Sequence, residues 1–254
     1  MKKLILIATI AHTLTLWSQD YNAIVLQQIE RMPVGGGYAV TKEALSALGA
    51  ATRITGDSIA ITVASATPSF CSGATYLVFL KTLQSAESRR QIPPLGKIWI
   101  NLVPNPTQDG VGIWGRWNAN GPGASRLFNE LKLGRNFCSY EEARPGDFLK
   151  IFWTDAVGKK ERGHLVIYLG KEIRDGEEHV RFWSSNKPSG YGTKSVPRSK
   201  IARAIFSRLE SPENISNVLS LPKKDGYLAS LLSSESSFAE ALEKSGVSQG
   251  DGSL

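Results

Sequence analysis

Apolar residues at Ile24, Val25, Ile29 and Met32 follow a helical spacing, which predicts a helix over residues 20–32 that ends at Pro33-Val34-Gly35-Gly36-Gly37. Thr41 is placed to cap a second short helix over 42–48, and an extended stretch is expected at 59–63. The next helix starts at Pro68 or Ser69 and carries a buried stripe of Ala74, Leu77, Val78 and Leu83 to about residue 87, so Cys71 falls in its first turn. Residues 97–103 read as a strand, followed by a long loop over 104–123 rich in Gly, Asn, Pro and Trp and a short helix over 125–132. Strands are then expected at 147–153, 164–169 and 180–184, joined by turns at 155–158 and 174–176, which implies an antiparallel sheet. A helix or strand at 201–208 closes the domain. Beyond Pro212 the chain is Ser-rich and reads as a weakly ordered tail to residue 254.

These elements predict an α+β fold in 254 residues, long enough for one sizeable core. Lys2 and Lys3 precede the apolar run Leu4-Ile5-Leu6-Ile7-Ala8-Thr9-Ile10, the pattern of a secretory leader. Residues 1–18 are expected to be removed near Ser18-Gln19, which puts the protein in the periplasm or outside the cell. A permanent anchor is the other reading, but the run is too short to span a bilayer. Losing the two lysines lowers the formal charge from +7 to +5. The remaining basic residues are dispersed and lack a block interleaved with aromatics, which argues against nucleic acid as a partner; stable membrane insertion is not expected either. The excess suits an anionic polymer such as a cell wall.

The chemistry centres on Phe70-Cys71-Ser72-Gly73 and on Gly163-His164 at the start of a later strand. A thiol becomes a useful nucleophile as a thiolate, and helix N-terminal amides plus a nearby imidazole both favour that form. Cys71 has the helix by position, and His164 can act as base and then as acid to a leaving amine. A third polar group must orient the imidazole; Asn186 and Ser184 on the following strand are the two candidates. The expected oxyanion donor is the Cys71 backbone N–H or one beside it. A disulfide between Cys71 and Cys138 competes with this reading, because it would consume the nucleophile.

Taken together, Phe70-Cys71-Ser72-Gly73, Ala143-Arg144-Pro145-Gly146-Asp147-Phe148 and Gly163-His164-Leu165-Val166-Ile167-Tyr168-Leu169-Gly170 resemble the NlpC-type papain-like cysteine peptidases and their CHAP amidase relatives. The resemblance covers residues 67–186. It implies a papain-like core in which the nucleophile helix packs on an antiparallel sheet, here with extra N-terminal helices, and hydrolysis of amide bonds in peptidoglycan peptides. It carries Cys71 over as nucleophile and His164 as base, puts the third polar position near Ser184, and matches Asn186 to the asparagine of CHAP-like members. Phe70 stands where many members have Asp.

The chain thus divides into a leader (1–18), a helical lead-in (19–66), a cysteine peptidase domain (67–211) and the tail (212–254). In the long loop Trp114, Trp117 and Asn118 are candidates for gripping a sugar or peptide, with burial of the tryptophans on the core as the alternative. Ser72 beside the nucleophile and Trp183 on the third strand are further candidates for a cleft wall. Gly110-Val111-Gly112-Ile113-Trp114-Gly115 fits a dinucleotide fingerprint in form, but with no helix expected after it the match is coincidental. No cluster of His, Cys, Asp and Glu has metal-ligand spacing, so no metal or other cofactor is expected. The reading is of an exported cysteine hydrolase of peptidoglycan peptides, for which the sequence leaves a monomer open. Two others stay open: a protease or acyl transferase acting on proteins, and a catalytically silent wall-binding module that works through its aromatic loop.

Overall fold

The computed structural model describes residues 20–247; the expected leader and its cleavage site, and residues 248–254 of the expected tail, lie outside them. Asp20 accepts the Asn22 N–H and opens α1 (Tyr21–Glu30), while Thr41 accepts the Ala44 N–H and opens α2 (Lys42–Ala50). Between them lies β1 (Gly35–Gly36), and after them a hairpin of β2 (Thr52–Thr55) and β3 (Ser58–Ile61). The long helix α3 (Cys71–Ser88) follows, then two short ones, α4 (Gly112–Trp117) and α5 (Gly123–Leu131). The second half supplies β4 (Gly134–Phe137), β5 (Phe148–Phe152), β6 (Val157–Gly158), β7 (Gly163–Arg174), β8 (Glu177–Asn186), β9 (Gly190–Pro197) and β10 (Arg203–Leu209). Finally come α6 (Gly226–Ser230), β11 (Glu235–Ser236) and α7 (Phe238–Lys244).

Seven strands form one sheet in the order β1-β9-β8-β7-β5-β10-β4, every neighbouring pair antiparallel, so the fold is α+β. Asp175 and Gly176, both at positive φ, make the tight turn that lets β7 and β8 pair along their length. Side chains alternate across the sheet. Phe148, Leu165, Ile167 and Trp183 join the cluster built around α3 and α1. Leu149, Ile151, Val166, Tyr168, Val180, Phe182 and Phe206 form a second cluster on the opposite face. Helix α3 is buried on nearly every side, with Ala74, Tyr76, Leu77, Val78, Phe79, Leu80 and Leu83 wholly inside, far beyond the single stripe its pattern suggested.

Pro145-Gly146-Asp147 is the junction that ties these layers together. Gly146 adopts φ +98°, and a Cβ there would lie 2.7 Å from the Asn22 side chain, so only glycine lets α1 approach. Asp147 is fully buried and accepts from Arg208 Nε at 2.8 Å and Nη2 at 2.7 Å, from Asn22 Nδ2 at 2.8 Å and from the Arg144 N–H at 2.7 Å. One carboxylate thereby joins α1, the start of β5 and the end of β10.

Five expectations change. Residues 97–103 are not a strand: Gly96–Asn101 is a 3₁₀ helix, because Leu95, Trp99 and Leu102 turn inward while Ile100 stays out. Glu87 fixes that turn by accepting from the Leu95 N–H and from Trp99 Nε1. The loop over 104–123 contains α4, so the glycine run does open a helix, but one of six residues that follows no strand. Strands β4 and β9 arise where none was expected. Residues 212–247 do not form a loose tail: Ile215, Leu228, Leu231, Ala241 and Val247 are buried, and α7 packs on Phe152 and Ile205 of the sheet. The 19–66 segment likewise contributes β1 and α1 to the shared core.

Asp147→Ala leaves the Arg208 guanidinium buried without its partner and is expected to cost about 3 kcal/mol or more in urea unfolding. Adding Arg208→Met removes the orphaned charge and is expected to recover part of that loss. Equal stability of Asp147→Ala and wild type would show that the pair does not hold the layers.

Candidate active site

Cys71 is the first residue of α3, and the residue before it, Phe70, makes no side-chain cap. Phe70 instead turns its ring inward, edge-on to Trp114 at 6.1 Å. No Phe70 side-chain acceptor therefore competes for the first-turn N–H groups, and their partial positive charge faces the thiol. Helix α3 packs against β7 and β8. His164 is the second residue of β7, beside Gly163, where a Cβ would come within 2.7 Å of Lys150 Nζ and 2.5 Å of Glu161 Oε1.

The His164 ring acts on the Cys71 thiol. Burial raises the thiol, but the hydrogen bond and charge of His164 outweigh it, helped by the Leu165 N–H and the Lys150 ammonium, and bring it down to about 6. On its other side the imidazole meets Asn186, with Nε2 3.1 Å from Oδ1. The Asn186 amide has a defined orientation: its Nδ2 donates to the carbonyls of Ser184 at 3.2 Å and Gly192 at 2.8 Å. Only Oδ1 is left for the ring, so Nε2 carries the proton and donates, and Nδ1 remains the basic nitrogen. Trp153, stacked at 6.3 Å, and Phe182, edge-on at 5.7 Å, hold the ring from its faces.

Of the two candidates for third member, the structure brings Asn186 to His164. Ser184 is fully buried and donates to the Leu165 carbonyl at 2.8 Å, pinning β8 to β7 one residue past the histidine. Ser72 also serves the frame: its Oγ donates to Asn118 Oδ1 at 2.6 Å, and its carbonyl accepts from Trp117 Nε1 at 3.1 Å. Asn118 itself lines the small cavity beside Cys71. The other aromatic candidates resolve to burial. Trp114 packs on Phe70 and Tyr76, and Trp183 stacks on Tyr191 at 5.9 Å; neither lines a cavity next to the thiol. Trp117 reaches that cavity only as its nearly fully buried floor. No disulfide joins Cys71 to Cys138, which packs near Phe238 in a separate apolar cluster with Phe152 and Ile205.

Tyr38 belongs to the site but carries no signal in the sequence. Burial first, and then the influence of the Cys71 thiol, push its phenol up, so it keeps its proton. Its backbone explains its position. Gly35–Gly37 pass between β9 and Thr67, all at positive φ, and Ala39 and Gly37 exchange backbone hydrogen bonds with Ser69. A Cβ on Gly36 would sit 2.5 Å from the Thr67 methyl, so the glycines let Tyr38 run alongside the entry to α3.

Two depressions meet at His164. The smaller, about 110 Å³, lies between Cys71, Asn118, Lys150 and Leu165; in its wall Lys150 Nζ pairs with Glu161 Oε1 at 2.5 Å. The wider, about 660 Å³, opens past Tyr38, Trp153 and Asn186. The wall bearing Asn118 and Asn120 is held from behind by the C-terminal segment. Buried Arg116 donates to the Gly110, Gly112 and Pro222 carbonyls, Gly112 N–H donates to Lys223, and Leu231 sits under Gly121. No family model, curated protein or solved structure matches the chain.

Such a thiol ionises about three decades of proton concentration before an ordinary cysteine. Iodoacetamide labelling of Cys71, read by peptide mass mapping, is expected to rise through a midpoint near pH 6. The His164→Ala substitution removes the largest lowering contribution, so its midpoint moves up. A wild-type midpoint above pH 8 would contradict the site as described.

Proposed function

We propose that the protein is an exported cysteine hydrolase that cleaves amide bonds in peptidoglycan peptides and has the papain-like core of the NlpC-type peptidases. The observation that carries this reading is the ordered chain Cys71, His164, Asn186, in which the clamped asparagine leaves the imidazole one basic nitrogen on the thiol side. The placement of the pair supports it as well: a thiol at a helix N-terminus, a histidine heading a strand of an antiparallel sheet, and the orienting residue on the next strand.

In this mechanism the Cys71 thiolate attacks the carbonyl carbon of the scissile amide, and the carbonyl electrons move to oxygen. The Cys71 backbone N–H and the Tyr38 phenol, both beside the sulfur, stabilise that oxyanion. His164, protonated by the thiol, gives its proton to the leaving amine as the C–N bond breaks, and a thioester remains. Water then attacks with His164 Nδ1 as base, the C–S bond breaks and the acid product leaves. Asn186 keeps the ring in register throughout.

Buried tryptophans weigh against a silent binding module, because Trp114 and Trp117 offer no exposed face to a wall polymer. The leader-like N-terminus, the net positive charge and the resemblance of the three motifs favour the cell wall over soluble proteins as substrate.

Purified sacculi incubated with the mature protein are expected to release discrete stem-peptide fragments, and none with Cys71→Ser; mass spectrometry names the bond. On the same fragments Asn186→Ala is expected to lose about 100-fold in kcat/KM through misplacement of the imidazole. No release from sacculi by wild type, with casein cut instead, would move the reading to protein substrates.

A further inference from the structure

The wide depression differs from the narrow one in charge. Arg162, Lys187 and Lys194 line it, all three exposed, and none forms an ion pair among the described residues. Lys187 leans over the Tyr38 ring at 5.5 Å, which holds its stem along the cleft wall. The one carboxylate lining this cleft is Glu161, and it is already engaged. Its Oε1 pairs with Lys150, and its Oε2 accepts from the Gly121 N–H at 2.6 Å and the Gly158 N–H at 3.2 Å. In the narrow depression, by contrast, the Lys150 cation is paired with that same Glu161.

Three unneutralised cations around one concavity beside a nucleophile are a poor arrangement for an empty site, since like charges repel. An anion from outside relieves that repulsion. The guanidinium of Arg162 offers a planar pair of donors that matches a carboxylate, and the two ammonium groups supply further point charges. Trp153 adds an apolar face between them and His164. From these observations we infer that the cleft lined by Arg162, Lys187 and Lys194 is a specificity subsite for carboxylate groups of the substrate peptide, on one side of the bond that Cys71 attacks. This inference rests on the hydrolase reading for its position relative to the scissile bond, but not for the binding itself. It makes the protein selective for peptides that present free acids over the same peptides as amides.

Stem tetrapeptides with free carboxylates, and the same peptides with those groups converted to carboxamides, test this in two assays. In the first, kcat/KM is measured for wild type and for the triple variant Arg162→Gln, Lys187→Gln, Lys194→Gln, whose exposed positions and melting curve report that it folds. In the second, Cys71→Ala is titrated with each peptide by calorimetry. The acid form is expected to be favoured roughly tenfold in both assays at low salt, the scale of one charge-assisted hydrogen bond. That preference is expected to shrink toward unity in the triple variant and, because the cations are exposed, as salt rises. Equal turnover of acid and amide by wild type overturns the subsite and leaves the hydrolase standing. A binding preference by Cys71→Ala with no turnover by wild type does the reverse. A preference that survives in the triple variant, or none in either assay, also overturns the subsite.

Discussion

The orientation of one amide group governs the arrangement of the candidate site. Asn186 donates twice, to Ser184 and to Gly192, and those two carbonyls belong to β8 and β9. The pairing of these strands therefore decides which end of the amide faces His164, and so which ring nitrogen keeps its proton. Slipping β9 by one residue would turn its side chains to the opposite face and take the Gly192 carbonyl away from the amide. The same strand holds Gly35 and Gly36 on its outer side, and through them Tyr38. A sheet edge thus sets both the tautomer of the base and the position of Tyr38.

Electrostatics at the thiol are a contest that the imidazole wins. Burial by itself favours the neutral thiol, and the Lys150 ammonium adds little because Glu161 shares its charge. What remains is the influence of His164, reinforced by the Leu165 N–H and by a helix whose N-cap side chain makes no competing bond. Cys71 and His164 are consequently a single unit: without the ring, burial is opposed only by the weaker contributions and the thiol ionises at higher pH.

Much of this was legible in the sequence because its signals are local. The cap at Thr41, the strands at residues 147–153 and 164–169, and the Asp175-Gly176 turn depend on neighbours within a few residues. Cys71 and His164 stood out for the same reason. What stayed hidden depends on partners distant in the chain. Trp99 leaves the strand pattern because Glu87 captures its indole, and Trp114, Trp117 and Trp183 look like ligand-gripping aromatics until their packing partners are known. Ser184 and Asn186 lie two apart on one strand, so spacing alone could not separate a residue that bonds the Leu165 carbonyl from one that bonds the ring. Tyr38 follows three glycines that read as a helix stop. Their second role, threading past Thr67, appears only when β9 is beside them.

The segment after Leu221 has a place in time as well as in space. During synthesis Cys71, His164 and Asn186 all leave the ribosome before Pro222, Lys223 and Leu231, which brace the wall carrying Asn118 and Asn120. Until those residues arrive, buried Arg116 lacks its bond to the Pro222 carbonyl and the wall lacks its backing. The protein therefore acquires Cys71 early and the backing of the cavity beside it late, so the wall bearing Asn118 and Asn120 is among the last parts of this region to be completed.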